Sequence, residues 1–208
     1  MQHLKYTYVD ARTGISCTEA PMRAGPAMPS VPGLTFGFAL ESLYPTATPV
    51  FFGTAESADL STPGVIELVS EQEYDAAWDQ EQADRLAKAK SSRLAELAAH
   101  RWQVETGGIV RNGAVIATDD RSQAKISGAL QLVQDDPQVV IDWKAENGWV
   151  QMNAAAVTYT AREIGLHVQA AFSREKVLAT EINACATVQE VAAVDITTGW
   201  PSNTEESE

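Results

Sequence analysis

The chain has 208 residues and carries 15 Lys and Arg against 28 Asp and Glu, a formal net charge of −13. A content of 45% hydrophobic and 21% charged residues belongs to a folded chain of one ordinary domain or two small ones, neither disordered nor fibrous. So acidic a balance excludes a broad phosphate-binding face and disfavours an anionic membrane surface, and neither nucleic acid nor membrane insertion is expected.

The opening MQHLKYTYVD lacks the basic and apolar regions of a secretory signal, which points to synthesis and folding in a reducing cytoplasm. Residues 3–10 are rich in aromatic and β-branched side chains and read as a strand, and Ala11 to Gly14 turns into a second short one. Pro21, Pro26, Pro29 and Pro32 make residues 20–34 an extended, ordered loop. Leu34–Leu40, Pro49–Thr54 and Val65–Val69 are the further strands of a β-rich N-terminal module over residues 1–69. Cys17 and Cys185 have no His or Cys at metal-ligand spacing and read as two thiols, with no disulfide supported.

Ser70 followed by Glu73 is a capping box. From Glu71 to Glu105 no Pro or Gly interrupts a run of strong helix formers. Residues 70–105 therefore read as a long helical connector, on the order of 50 Å if unbroken. A break near Lys90-Ser91-Ser92 is the open alternative. Between Ala24 and Asp84 no Lys or Arg occurs, against Glu41, Glu56, Asp59, Glu67, Glu71, Glu73, Asp75, Asp79, Glu81 and Asp84. This base-free stretch is either a solvated acidic face or the match to a basic partner surface. On the second reading the candidate partner-binding residues are Glu67, Glu71, Tyr74, Asp75 and Trp78. Trp102 and Trp200 join them as aromatic anchors, the other reading of Trp200 being that with Pro201 it clamps the last segment onto the core.

Gly107-Gly108 ends the helix, and Asn112-Gly113 sits between two apolar runs, a strong hairpin signal. Asp119 or Asp120 caps a helix to about Gln134. Asn147-Gly148 marks a second hairpin within residues 139–152, where Trp143 and Trp149 flank the turn and are placed to pair across the strands. Asn153 caps a helical stretch to about Ala186, as one long helix or two abutting ones. Thr187 with Glu190 starts a short helix to about Ala193. The sum is an α+β chain: a small β-rich N-terminal module, a long helical connector, a C-terminal module of two β-hairpins with helices over 106–201, and an acidic tail at 202–208.

Signatures of catalysis are missing from the sequence. It has no nucleophile elbow, P-loop or dinucleotide fingerprint. His3, His100 and His167 each lack a second ligand nearby, and His167 reads as a packed helix histidine. Asp119-Asp120 could pair as acid and base, but helix capping explains them. Arg162 and Arg174 fit ion pairs on a helix surface. The sequence gives no catalytic residue, no metal site and no cofactor.

The segments HRWQVETGGIVRNGAVIATDDRSQAKISGAL, VIDWKAENGWVQM, HVQAAFSREKVLATEINA and DITTGWP together carry a resemblance. Residues 86–201 resemble a C-terminal domain family of unknown function that recurs in tail-fibre-associated and baseplate-associated proteins of tailed phages. The most specific pieces are Arg101-Trp102 with Glu105, Gly108–Thr118 followed by Asp119 and Ser122, Trp143-Lys144, His167-Val168, and Asp195-Ile196 with Gly199-Trp200-Pro201. The N-terminal module is similar to the small β-rich heads attached to such domains. The resemblance implies a phage tail protein that binds the tail fibre or receptor-binding protein and other tail proteins. Made in the host cytoplasm, it would reside in the virion tail, with a homo-oligomer in keeping with trimeric fibres. The alternative it implies is a cytoplasmic chaperone of fibre assembly. An enzyme acting on envelope glycans is the reading from another class, and it needs a carboxylate pair that the sequence does not supply.

Overall fold

A computed structural model describes residues 1–7, 31–40 and 50–204. The end of the strand predicted over 3–10, the turn and short strand after it, most of the proline-rich loop, Cys17 and Glu41 lie outside the described residues. The chain divides into two units, Met1–Ala87 and Lys88–Glu208.

In the first unit, β1 (Gln2–Tyr6), β2 (Leu34–Leu40), β3 (Val50–Ala55) and β4 (Val65–Val69) form an antiparallel sheet in the order β2-β3-β1-β4. Strand alternation sends Leu4 and Tyr6 to one face with Phe51, Ala55 and Val65. Phe38, Leu40, Val50 and Phe52 gather on the other face. β3 therefore feeds both clusters, which is why VFFGTA reads as a continuous apolar run. Helix α1 (Glu71–Thr106) covers the second face with Tyr74 and Ala77. The Ser70 hydroxyl caps it, accepting from the Glu73 N–H at 3.1 Å. The Glu73 carboxylate accepts from Lys5 Nζ at 2.8 Å. α1 runs through Lys90-Ser91-Ser92 without a break.

The second unit contains the C-terminal half of α1 and seven further elements. These are β5 (Ile109–Arg111), β6 (Ala114–Ile116), α2 (Asp120–Asp135), β7 (Ile141–Ala145), β8 (Gly148–Met152), α3 (Ala154–Ala184) and α4 (Val188–Ala193). Its core joins Ile109 and Ile116 of the first hairpin, Ile126 and Val133 of α2, Trp143 and Met152 of the second hairpin, and Val157 and Ile164 of α3. Each such side chain contributes about 1.5–3 kcal/mol by leaving water. The first hairpin turns where predicted, with φ of 49° at Asn112 and 73° at Gly113, values that Asn-Gly adopts readily. α3 is one helix of 31 residues. Asp119 and Asn153 cap α2 and α3, and Thr187 with Glu190 makes a reciprocal capping box on α4.

The second hairpin differs from its prediction. Its turn lies at Glu146-Asn147, one residue earlier, because Ala145 pairs with Gly148. Trp143 faces Val150 and points inward, while Trp149 faces Lys144 and points outward, because neighbouring residues of a strand take opposite faces. The register is fixed by docking on β6. Glu146 N–H donates to Val115 O at 2.9 Å, Asn147 Oδ1 accepts from Val115 N–H at 3.0 Å, and Asn147 Nδ2 donates to Gly113 O at 2.8 Å.

Candidate interaction surfaces

Five of the sequence-predicted partner residues converge in the first unit. Glu67 on β4 and Glu73 on α1 both accept from Lys5 Nζ, at 2.5 and 2.8 Å. Burial pulls the Lys5 ammonium down, but the bonds and charges of Glu67 and Glu73 outweigh it and leave its pKa above the ordinary lysine value. Tyr74 packs among His3, Phe38 and Phe52, with centroid distances of 4.4, 5.3 and 6.1 Å. Burial, and then the neighbouring charge of Asp75, raise its phenol pKa. Trp78 lays its edge against Phe38 at 5.2 Å yet stays 42% exposed. Glu71 and Asp75 are exposed, and no ion pair engages either among the described residues.

Trp102 and Trp200 belong to the second unit and have opposite fates. Trp102 stands 60% exposed on α1. Trp200 is half-buried, its ring 5.1 Å from His100 and its Nε1–H donating to Ile196 O at 2.8 Å. It is the last part of a lock made by DITTGWP. Asp195 Oδ1 accepts from Thr197 N–H and Oγ1–H at 2.8 and 2.6 Å, and its Oδ2 from Thr198 Oγ1–H at 2.9 Å. Thr198 O then accepts from Arg174 Nε at 3.0 Å. Gly199 follows at φ 76°, where a Cβ would meet that guanidinium at 2.9 Å. The Thr197 hydroxyl, together with the bonds from Thr197 N–H and Thr198, pulls the Asp195 carboxyl down to about 2.

Of the other polar residues that the sequence singles out in the second unit, Arg101, His167, Arg174 and Asp119 have partners within it. Arg101 pairs with Glu105, lies 3.2 Å from Glu175 Oε2 and stacks over Phe172 at 4.6 Å. His167 is buried, as predicted, with Nε2–H donating to Val104 O at 2.9 Å. Arg174 serves the lock just described, and Arg162 is exposed. Asp119 acts as a cap, not as half of a carboxylate pair. Its oxygens accept from Arg121 N–H, Ser122 N–H and Ser122 Oγ–H at 2.9, 3.1 and 2.9 Å. Among the described residues no group of three His, Cys, Asp or Glu could hold a metal ion. No helix among them is long and apolar enough to cross a membrane.

Trp149, which the sequence places to pair with Trp143 across the strands, pairs with Lys144 and is exposed instead. It is 71% exposed, with Lys144 Nζ 5.9 Å from its ring. The alternation in IDWKA and GWVQM carried the signal. Once the turn is set at Glu146-Asn147, Trp143 and Trp149 must take opposite faces.

No curated protein matches the chain, and no solved structure does. The family model for a domain of unknown function, DUF4376, matches residues 88–198, starting where the second unit starts. Because that match spans more than half of the 208 residues, the chain belongs to the DUF4376 family.

Proposed function

We propose that the protein is a non-enzymatic tail protein of a tailed phage, binding the tail fibre or receptor-binding protein as a baseplate or fibre component. The observation that carries this reading is the run of motifs from Arg101-Trp102 to Gly199-Trp200-Pro201. That run resembles the C-terminal domain of tail-fibre-associated and baseplate-associated proteins. Large rings left in water support a binding role. Trp78, Trp102 and Trp149 are 42, 60 and 71% exposed, and exposed aromatics are the usual anchors of protein interfaces. Mass spectrometry of purified virions tests the reading. Peptides of this chain co-purify with the tail at a fixed ratio to the fibre. Absence from the particle overturns the reading. Absence combined with rescue of fibre solubility on co-expression would make the chain a transient assembly chaperone.

A further inference from the structure

One groove of the second unit lies between β5, α3 and the segment that follows Trp200, with a volume of about 770 Å³. That falls within the range of small-molecule sites, roughly 300–1,000 Å³. Its two sides differ in chemistry. α3 brings Tyr159, Leu166 and Ala170, the first two 49 and 51% exposed. Spaced by seven and four residues, they share one face of the helix. The opposite side is polar, with the Asn112 amide of the first hairpin's turn and the hydroxyls of Ser202 and Thr204. Val110 N–H donates to Asn203 O at 2.7 Å and holds that last segment along β5.

Besides His167, Arg111 is the only base and Glu163 the only acid that line the groove, and they neutralise each other. Arg111 Nε–H and Nη2–H both donate to Glu163 Oε2, at 3.2 and 2.9 Å, and Nη1–H donates to Val110 O at 2.6 Å. Of the five guanidinium N–H groups, two remain. Glu163 Oε1 accepts from no side chain or backbone group among the described residues. The pair thus offers donors and an acceptor side by side with no net charge. His167 is 5% exposed, and its Nδ1 has no partner among the described residues, a further acceptor on a residue that lines the groove.

The matching ligand has an apolar face for Tyr159 and Leu166, a polar edge of mixed donors and acceptors, and no net charge. A pyranose is built this way. Its ring C–H groups suit the negative face of an aromatic ring, and each hydroxyl on its rim both donates and accepts. An extended peptide would instead need a free edge on β5, where the Val110 N–H is already taken by Asn203 O.

We propose that this groove binds a neutral saccharide, with Tyr159 as its stacking platform and the Arg111–Glu163 pair reading its hydroxyls. The inference goes beyond the tail-protein reading and does not rest on it.

Amide-resolved NMR titration of the full chain tests it. The probes are the methyl pyranosides of glucose, galactose and mannose, and N-acetylglucosamine, each up to about 50 mM. At least one of them shifts the resonances of Asn112, Tyr159, Glu163 and Thr204 along a saturating curve in the millimolar range. Tyr159→Ala and Glu163→Gln each weaken that binding at least about fivefold. Tyr159 is half-exposed, so its loss leaves the thermal transition unchanged and the result readable. Methyl glucuronide, which adds a carboxylate, binds no more tightly, because the guanidinium is already paired. Absence of a saturable shift with all four probes overturns the proposal. So does a response centred elsewhere, or binding that neither variant weakens. Binding by the glucuronide alone overturns it too, since Arg111 would then act as a free cation and the ligand would be an anion.

Discussion

Asp195 accepts three hydrogen bonds from the two threonines that follow it, and the direction of its titration follows. A carboxyl whose folded pKa lies below its unfolded value stabilises the fold above the unfolded value. That contribution is lost as pH falls through the folded pKa. With an ordinary value of 3.8 drawn down to about 2, the lock is complete above about pH 4 and fades towards pH 2. Carboxyl-detected NMR titration should find the Asp195 midpoint near 2. Thr197→Val should move it up, since the Thr197 hydroxyl is the leading cause of the shift. A wild-type midpoint near 3.8, or one that Thr197→Val leaves in place, counts against this account. The residue types of DITTGWP were plain in the sequence. Their joint task was not, because it depends on Arg174, which only the folding of α3 brings to Thr198 O.

At the scale of elements, the second hairpin separates two explanations of the same residue. Sequence reasoning takes Asn147-Gly148 for a turn pair chosen for its left-handed backbone. Asn112 is the one non-glycine residue with positive φ among those described, so Asn147 has no such duty. Its side chain instead bonds Val115 N–H and Gly113 O across to β6. Asn147→Gly would keep or ease a left-handed turn, yet it removes both bonds. It should destabilise the chain by about 1–2 kcal/mol, as Asn147→Ala should. Urea unfolding measures both variants, and a neutral Asn147→Gly restores the turn explanation. Helices and the first hairpin were legible because caps and left-handed turns are local chemistry: Ser70, Asp119, Asn153 and Thr187 each act within three residues. The register of the second hairpin was not legible, because a contact 32 residues away sets it.

For the molecule as a whole, the sequence suggests a module boundary near 105, where helix formers give way to glycine. The packing draws a different line within α1. Up to Ala87 the chain holds 4 Lys and Arg against 12 Asp and Glu, a charge of −8, and from Lys88 it holds 11 against 16, or −5. Along α1 itself only acids stand up to Asp84, and Arg85, Lys88, Lys90, Arg93 and Arg101 then outnumber Glu96 and Glu105, so the change of sign falls close to the change of unit. Beyond Lys88 the helix is tied to the rest of its unit by specific bonds. Lys90 Nζ donates to Asn183 O and Arg93 Nη2 to Val194 O, Arg101 lies against Glu175, and Val104 O accepts from His167. Leu97, 1% exposed, lies beside Phe172 and Ala179 of α3. A fragment of residues 88–208 keeps all of these and should fold alone, with a cooperative thermal transition and dispersed amide resonances. A fragment of residues 106–208 strips Leu97 from α3. It also leaves His167 and Glu175 without their partners, at about 2–5 kcal/mol for the leucine alone. That is a large share of the 5–15 kcal/mol or so that holds an ordinary domain together, so the shorter fragment should melt without cooperativity or stay unfolded. If residues 106–208 fold as well as 88–208, the second half of α1 is an appendage and the boundary near 105 is the physical one.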